Sequence, residues 1–588
     1  MKLPAGSIFV FLSTVAGTSY AFLQKRQFSD DSFDWATVKP SRSLQYHDCY
    51  DGFKCARLKV PLDWTTANSS KCASSPRWAA IGIVTLPASV PETDPSFGGT
   101  ILINPGGPGG GGTEMVLDIG LYMQAILDAD RHYEILGFDP RGVALSTPRA
   151  DCYNDDLKRA ADFIQKEGLP AMTSGPEALT HHYQAARGLS DLCAEAGEDS
   201  IFNYMSTASV ARDMVEIVDR VDELRHKNLT SAEDGERELP KLQYFGISYG
   251  TILGNTFASM FPGRVGRMVL DGVADADDYI SGTWAKNLND AEVVVDKFYE
   301  TCFRAGGLCL LKQEADGSAA DIRKRVDDFI QALVKTPIVT VAGGRVRFVT
   351  SLIVRDTIRR ALYSPIKAYE LLSIVLATTL AGDYSLLLQS PAVNNYERKD
   401  VCVVPGDYYP PQNYTWDSEA GMGVLCGDSA SKAGERNNVS WAESIVEQLD
   451  AQSPTAGEPW ARIPLSCSGW RYRPKYAFRG PFGHLNLDLS KAEDKPAAPL
   501  LILSTRHDHA TPLANAEHLS TLYPGSVVVI QESVGHCALI TSRSECTAQH
   551  LRTYFDVGKV PRSGTTCEED CSPGIPFVPC PGFADTPS

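Results

Sequence analysis

Residues 242–261 read Leu-Gln-Tyr-Phe-Gly-Ile-Ser-Tyr-Gly-Thr-Ile-Leu-Gly-Asn-Thr-Phe-Ala-Ser-Met-Phe. An apolar run, Leu242 to Phe245, leads into Gly246-Ile247-Ser248-Tyr249-Gly250 and then into a helix-like stretch, Thr251 to Phe261. The pattern predicts a strand, a sharp turn and a helix. In that context G-x-S-x-G holds a nucleophilic serine. The turn strains the serine backbone and lifts its hydroxyl clear of the sheet, so small residues must flank it. Ser248 is the candidate nucleophile.

The sequence on both sides supports this reading. Upstream, Thr100 to Asn104 reads as a strand and ends in Pro105-Gly106-Gly107-Pro108 followed by four glycines. Such a loop can cradle phosphate, but no Gly-Lys-Ser/Thr follows and no acidic residue has a clear ribose-binding role. It suits an oxyanion hole better, with N–H donors from Gly107 and from Tyr249, the residue after the nucleophile. Downstream, Pro499 to Ser504 and Val527 to Ile530 are short apolar runs fit for buried parallel strands. The first leads to Asp508, the second to Gly535-His536. The order Ser248, Asp508, His536 is that of α/β-hydrolase triads. Open α/β sheets place their sites just past the C-terminal ends of strands. His507 and His509 read as shaping the loop around Asp508. A metal reading for them lacks a third ligand at suitable spacing, and no metal or cofactor is expected.

Taken together, these segments resemble the secreted tripeptidyl aminopeptidase and proline iminopeptidase group of α/β-hydrolases. The match is closest to the branch with a TAP-like C-terminal region. The resemblance runs from about Cys49 to Cys567 through CYDGFKCARLKVPLDW, ILINPGGPGGGGT, GFDPRG, YFGISYGT, MVLDGV, VLCGDS, CSGW, RHDHATP, GHCAL and CTAQHLRTYFDVGKVPRSGTTC. Pro105 stands where proline iminopeptidases carry His. Val143-Ala144-Leu145-Ser146 follows GFDPRG where the family often has a second Gly. The resemblance implies an exopeptidase releasing short peptides, such as tripeptides, from free N-termini. Esterases and acyl hydrolases of secondary metabolism share the outline, so an esterase or a secondary-metabolite acyl hydrolase with the same triad is the alternative. It also implies a cap that binds the substrate amine and limits its length. Acidic residues of the cap, or Glu114 beside the glycine loop, are candidates for that amine. The family outline suggests the pairs Cys152–Cys193, Cys426–Cys467 and Cys546–Cys567.

The rest of the chain bounds the setting. Lys2, an apolar core from Ile8 to Ala16 and Ser19-Tyr20-Ala21 read as a secretory signal over residues 1–21. Lys25-Arg26 follows and fits dibasic processing. Fifteen cysteines among 588 residues fit an oxidising compartment. The close pairs are Cys49–Cys55, Cys302–Cys309 and Cys571–Cys580; together with the three pairs the family outline suggests they leave Cys72, Cys402 and Cys537. Sequons at Asn68, Asn228, Asn413 and Asn438 suit surface glycosylation. A net charge of −17 argues against nucleic acid as a partner. No segment beyond the signal has the ~20 apolar residues of a membrane anchor. The expected partner is a peptide or small acyl substrate, and nothing in the sequence specifies an oligomeric state.

The expected class is α/β: an α/β-hydrolase fold, a mostly parallel sheet with flanking helices and a large inserted helical cap. Strand and helix patterns alternate from about Thr100 to Val273. Val210, Met214, Ile217, Val218, Val221 and Leu224 give one helix its apolar face. After Val273 helical patterns dominate, marked by Ile322 to Leu333 and Tyr369 to Leu380, and interrupted by a Pro-rich loop at Pro405 to Pro411. The expected division is a core part over 22–275, a mainly helical cap over 276–495, and a second core part with a cysteine-rich tail over 496–588.

Overall fold

The apolar runs before the glycine loop and before Ser248 are neighbouring strands. A computed structural model describes residues 33–66, 77–153, 155–228, 238–390, 417–430, 438–484, 491 and 495–570. Its strands are β1 (His47–Cys49), β2 (Phe53–Pro61), β3 (Trp78–Leu86), β4 (Phe97–Asn104), β5 (His132–Phe138), β6 (Leu242–Ile247), β7 (Val265–Asp271), β8 (Ile338–Ala342), β9 (Arg345–Val349), β10 (Leu501–His507), β11 (Val527–Val534) and β12 (Thr566–Glu568). All but β8 and β9 form one sheet in the order β1-β2-β3-β5-β4-β6-β7-β10-β11-β12. From β5 to β12 every pairing is parallel; β1, β2 and β3 extend it antiparallel.

Those first three strands precede the point where the sequence reading began its sheet. The signal was present. β2 alternates buried and half-buried residues, and β3 is buried almost throughout.

The strands are apolar on both faces because both faces are covered. Leu102, Leu136, Tyr244, Met268 and Ile502 belong to one buried cluster, and their sequence neighbours Ile101, Ile135, Phe245, Val269 and Leu501 to another. That is the two-residue alternation of a strand packed on both sides. Helix Thr207–Asn228 buries Val210, Met214, Ile217, Val218 and Val221 in the first cluster. A third cluster joins helices Ala291–Ala305, Ala319–Lys335, Ser351–Ala361 and Pro365–Leu380 through Phe298, Ile322, Val326, Val354 and Leu372. The mainly helical stretch also holds the antiparallel hairpin β8–β9.

Within the core, Arg141 of the GFDPRG segment makes a bidentate pair with Asp213, 2.6 Å at each nitrogen, and donates to the carbonyls of Pro61 and Leu62. Trp64 Nε1 adds a 2.9 Å bond to the same carboxylate. A buried charge pair persists only when its remaining donors and acceptors are satisfied in this way.

Disulfides join Cys49–Cys55, Cys152–Cys193, Cys302–Cys309, Cys426–Cys467 and Cys546–Cys567, and Cys537 is free and buried. Among the described residues no helix is long and apolar enough to cross a membrane. The signal segment, Lys25-Arg26, Asn68, Cys72, the 405–411 loop, Cys402, Asn413 and Cys571–Cys580 lie outside the described residues. Asn228 ends helix Thr207–Asn228, and exposed Asn438 caps helix Val439–Gln452 by accepting the Trp441 N–H.

Candidate active site

The strand order reverses at β4. The chain leaves β4 for β5 on one side and returns to β6 on the other. Ligand sites of open sheets form at such a switch point. The register pairs Asn104 with Gly246, so the glycine loop and the Ser248 turn leave the sheet side by side.

Ser248 has φ 58° and ψ −125°, a conformation rarely held by a non-glycine residue and one that clusters at functional sites. The flanking glycines are steric necessities. A Cβ on Gly246 would stand 2.4 Å from the Gly250 carbonyl oxygen, and one on Gly250 would stand 2.8 Å from that of Asn104. Gly106, at φ 90°, approaches the turn so closely that a Cβ there would meet the Tyr249 nitrogen at 2.8 Å. The Gly106 N–H is held by Asn104 Oδ1 at 3.0 Å. The next N–H, Gly107, has no partner among the described residues. Tyr249 opens helix Tyr249–Met260, so its N–H is one of the donors a helix leaves unpaired at its start.

Asp508 follows β10 and His536 follows β11. Both are buried, and the His536 Nδ1 lies 3.0 Å from Asp508 Oδ2 and 3.1 Å from Oδ1. The carboxylate also accepts the N–H groups of Ala510, Thr511 and Cys537. Thr511 Oγ1 donates to Asp508 Oδ2 at 2.7 Å and lies 3.0 Å from His536 Nδ1. Burial alone would raise the Asp508 pKa. The His536 charge and hydrogen bond, with the Thr511 hydroxyl, outweigh it and hold the carboxyl at about 2.

One further residue ties the two halves together. Asp271 ends β7, and its carbonyl accepts the Ser248 N–H at 3.0 Å. Its carboxylate accepts Ala538 and Leu539 N–H at 2.7 and 2.9 Å, just past His536. Cys537 Sγ lies against the Ser248 backbone. Burial, then the Asp271 and Asp508 charges, push the Cys537 thiol well up, so it stays protonated and is no competing nucleophile. Cys537, Asp508 and His536 are also near enough to share a cation, but the His536 nitrogen facing the carboxylate is already engaged by it.

The Tyr249 side chain is clamped from the helical region. Its hydroxyl meets Thr207 Oγ1, which donates to Asp428; the same carboxylate accepts the Thr207 N–H at 3.1 Å and the Tyr279 hydroxyl at 2.8 Å. A circuit of side chains then runs from Tyr249, next to Ser248, to His536. Tyr249 contacts Tyr279 (centroids 5.7 Å), Tyr279 contacts Trp284 (5.6 Å), and Trp284 contacts Trp460 (6.2 Å). The Arg359 guanidinium lies 5.9 Å from the Trp460 ring and 5.8 Å from that of Tyr363, which touches His536 at 5.1 Å.

His509 packs edge-on to Tyr363 at 4.4 Å, and burial pushes its imidazole down to about 3. His507 ends β10, where its carbonyl accepts the Gly535 N–H at 2.9 Å. Both shape the loop. Glu114 is exposed on the first turn of helix Gly112–Leu127. The sequence reading gave no role to Asp271, Thr511, Asp428 or the ring circuit. Their segments MVLDGV, DHATP and VLCGDS were recognisable only as family outline.

Residues 453–567 match the family described as TAP-like protein. The chain is 25% identical over 528 residues to serine protease Hip1 of Mycobacterium tuberculosis, covering 88% of this chain and 87% of the relative. It is 26% identical over 527 residues to carboxylesterase B of the same organism, covering 87% and 86%. It is 23% identical over 556 residues to a tripeptidyl aminopeptidase of Streptomyces lividans, covering 93% and 87%. With that sheet and those relatives, the chain is a serine hydrolase of the α/β type whose residues 453–567 carry the TAP-like region.

Proposed function

We propose that the chain is a secreted serine exopeptidase that releases short peptides from free N-termini through an acyl-enzyme. Ser248 is its nucleophile, His536 its general base and Asp508 the group that orients the base. The observation that carries this reading is the His536–Asp508 pair at the C-terminal edge of the sheet, beside the strained Ser248 turn. With Nδ1 held by the carboxylate, His536 has Nε2 available for the serine proton. Ser248 Oγ then bonds to the substrate carbonyl carbon. The N–H groups of Gly107 and Tyr249 take the oxyanion, a contribution of roughly 3 kcal/mol per donor. Collapse breaks the bond to the leaving amine, which takes the proton from His536, and water repeats the sequence to free the acid.

Secretion, a signal at 1–21, glycosylation at the four sequons and the division at 275 and 495 belong to the same proposal. The five disulfides support an oxidising compartment. An esterase is the second reading, favoured by the carboxylesterase among the relatives.

The test is hydrolysis of mono-, di- and tripeptidyl aminocoumarin amides, free and N-acetylated, with a short-chain aryl ester alongside. Cleavage of free but not acetylated tripeptides is the expected result. Ester turnover without amide cleavage would replace the exopeptidase by the esterase.

A further inference from the structure

Helix Asp417–Asp428 is buried from Glu419 to its end, although it carries an acid at each of those positions. Its glycines let three neighbours close on it. A Cβ on Gly421 would stand 2.5 Å from the Pro108 carbonyl oxygen, one on Gly423 2.7 Å from the Phe202 ring, and one on Gly427 3.0 Å from the Pro474 ring. The first of these contacts bears on the active site, because Pro108 follows Gly107. The helix is also fastened at both ends. Arg159 Nε donates to Glu419 Oε1 at 3.0 Å. Arg479 donates to the carbonyls of Gly427 and Asp428 at 3.0 and 2.9 Å, and Arg473 to that of Ser429 at 3.1 Å. Carbonyls that a helix leaves unpaired at its end are thus met by cations. The Cys426–Cys467 disulfide adds a covalent tie.

The last residue of this helix reaches Tyr249. The Asp428 carboxylate accepts the Thr207 N–H at 3.1 Å, the Thr207 hydroxyl at 2.5 Å and the Tyr279 hydroxyl at 2.8 Å. Thr207 has one hydroxyl hydrogen and gives it to Asp428, so the Tyr249 hydroxyl is the donor in its bond to Thr207 Oγ1. The hydrogens run one way, from Tyr249 through Thr207 to a carboxylate that makes and breaks no bond in the proposed reaction. One buried helix therefore abuts the residue after Gly107 and, through Thr207, holds the side chain of Tyr249. We propose that Asp428 is a positioning residue for the oxyanion hole, and that its helix sets the spacing of the Gly107 and Tyr249 N–H groups. This rests on the reading of those two groups as the oxyanion donors. Donors act on the developing charge only when they are already aimed at it, and a displacement of about 1 Å costs on the order of a hundredfold in rate.

Four variants cut or keep this line of hydrogen bonds. Asp428→Asn turns an NH2 towards a donor, and Thr207→Val removes the hydroxyl from a side chain of nearly the same shape. Tyr249→Phe removes the phenol oxygen and keeps the backbone N–H, and Thr207→Ser keeps the hydroxyl. Each is measured at a temperature where its melt shows it folded. The readouts are the rate of Ser248 labelling by a fluorophosphonate, kcat and KM on a tripeptidyl aminocoumarin amide, and inhibition by a tripeptide aldehyde and by the matching alcohol. The aldehyde forms a tetrahedral adduct that carries the oxyanion, and the alcohol does not. The three cutting variants should each lower labelling rate, kcat and aldehyde affinity by roughly tenfold or more, with KM and alcohol affinity within about twofold of wild type. Thr207→Ser should recover most of the loss. Folded variants that label and bind the aldehyde like wild type overturn the proposal, as does an equal loss for aldehyde and alcohol. If Asp428→Asn does not fold, Thr207→Val and Tyr249→Phe decide. Labelling needs no peptide, so slowed labelling in a protein that cleaves no peptide overturns the exopeptidase and leaves the role of Asp428 standing. A wild-type Ser248 that is not labelled overturns both.

Discussion

Asp271 joins two residues that the sequence holds far apart. Its backbone fixes the Ser248 N–H and its side chain fixes the turn after His536. Asp271→Asn keeps the volume but presents an NH2 where one of two N–H donors now points, so a buried donor loses its acceptor. The expected cost is about 1–3 kcal/mol in stability. A fall in kcat with little change in KM should accompany it. Kinetics beside a thermal melt check both, and an unchanged kcat would reduce Asp271 to a purely structural residue. Ser248→Ala removes an atom that the fold does not use. It should abolish turnover while the melting midpoint stays near wild type; wild-type-like activity would sink the assignment of Ser248.

At the scale of elements, the strand, turn and helix around Ser248 were legible because their causes are local. Gly246→Ala tests that cause. Its Cβ would fall 2.4 Å from the Gly250 carbonyl oxygen, which is backbone and cannot swing away. Denaturant titration should show a loss above the ~1–3 kcal/mol of an ordinary overpacked site. A fully stable variant would mean that the turn can reopen. The antiparallel strands β1–β3 were missed although β2 alternates, because nothing local says that such a run joins a parallel sheet. Helix Asp417–Asp428 falls in the stretch expected to be mainly helical without itself being marked, and its terminal Asp428 clamps Tyr249 through Thr207. That role needs the packing of residues more than two hundred positions apart.

The whole molecule carries a pH signature. Burial pushes Asp139, Asp271 and Asp428 each up to about 6, against hydrogen bonds that pull the other way. A carboxyl whose folded pKa exceeds its unfolded value binds more protons when folded. Its stabilisation is complete below the unfolded value, near 3.8, and is lost as pH rises through about 6. Each such group amounts to something on the order of 3 kcal/mol. Asp508 has the opposite sign: its contribution stands above its unfolded value and is lost as pH falls towards 2. Thermal midpoints should therefore peak near pH 4 and drop between about pH 4 and 6. A midpoint that is highest at neutral pH or above would show that these carboxyls ionise freely in the folded protein.

By itself the sequence determined the turn at Ser248, the apolar strands leading to Gly106, Asp508 and His536, and their order along the chain. Those features follow from side-chain periodicity and backbone sterics within a few residues. The tertiary structure alone decided the register that sets Asn104 opposite Gly246, the bridge through Asp271, and the run of ring contacts from Tyr249 through Tyr279 and Trp284 to Trp460. Each of these joins residues distant in the chain. Contacts of that kind are fixed by how sheets and helices pack, which no local pattern encodes.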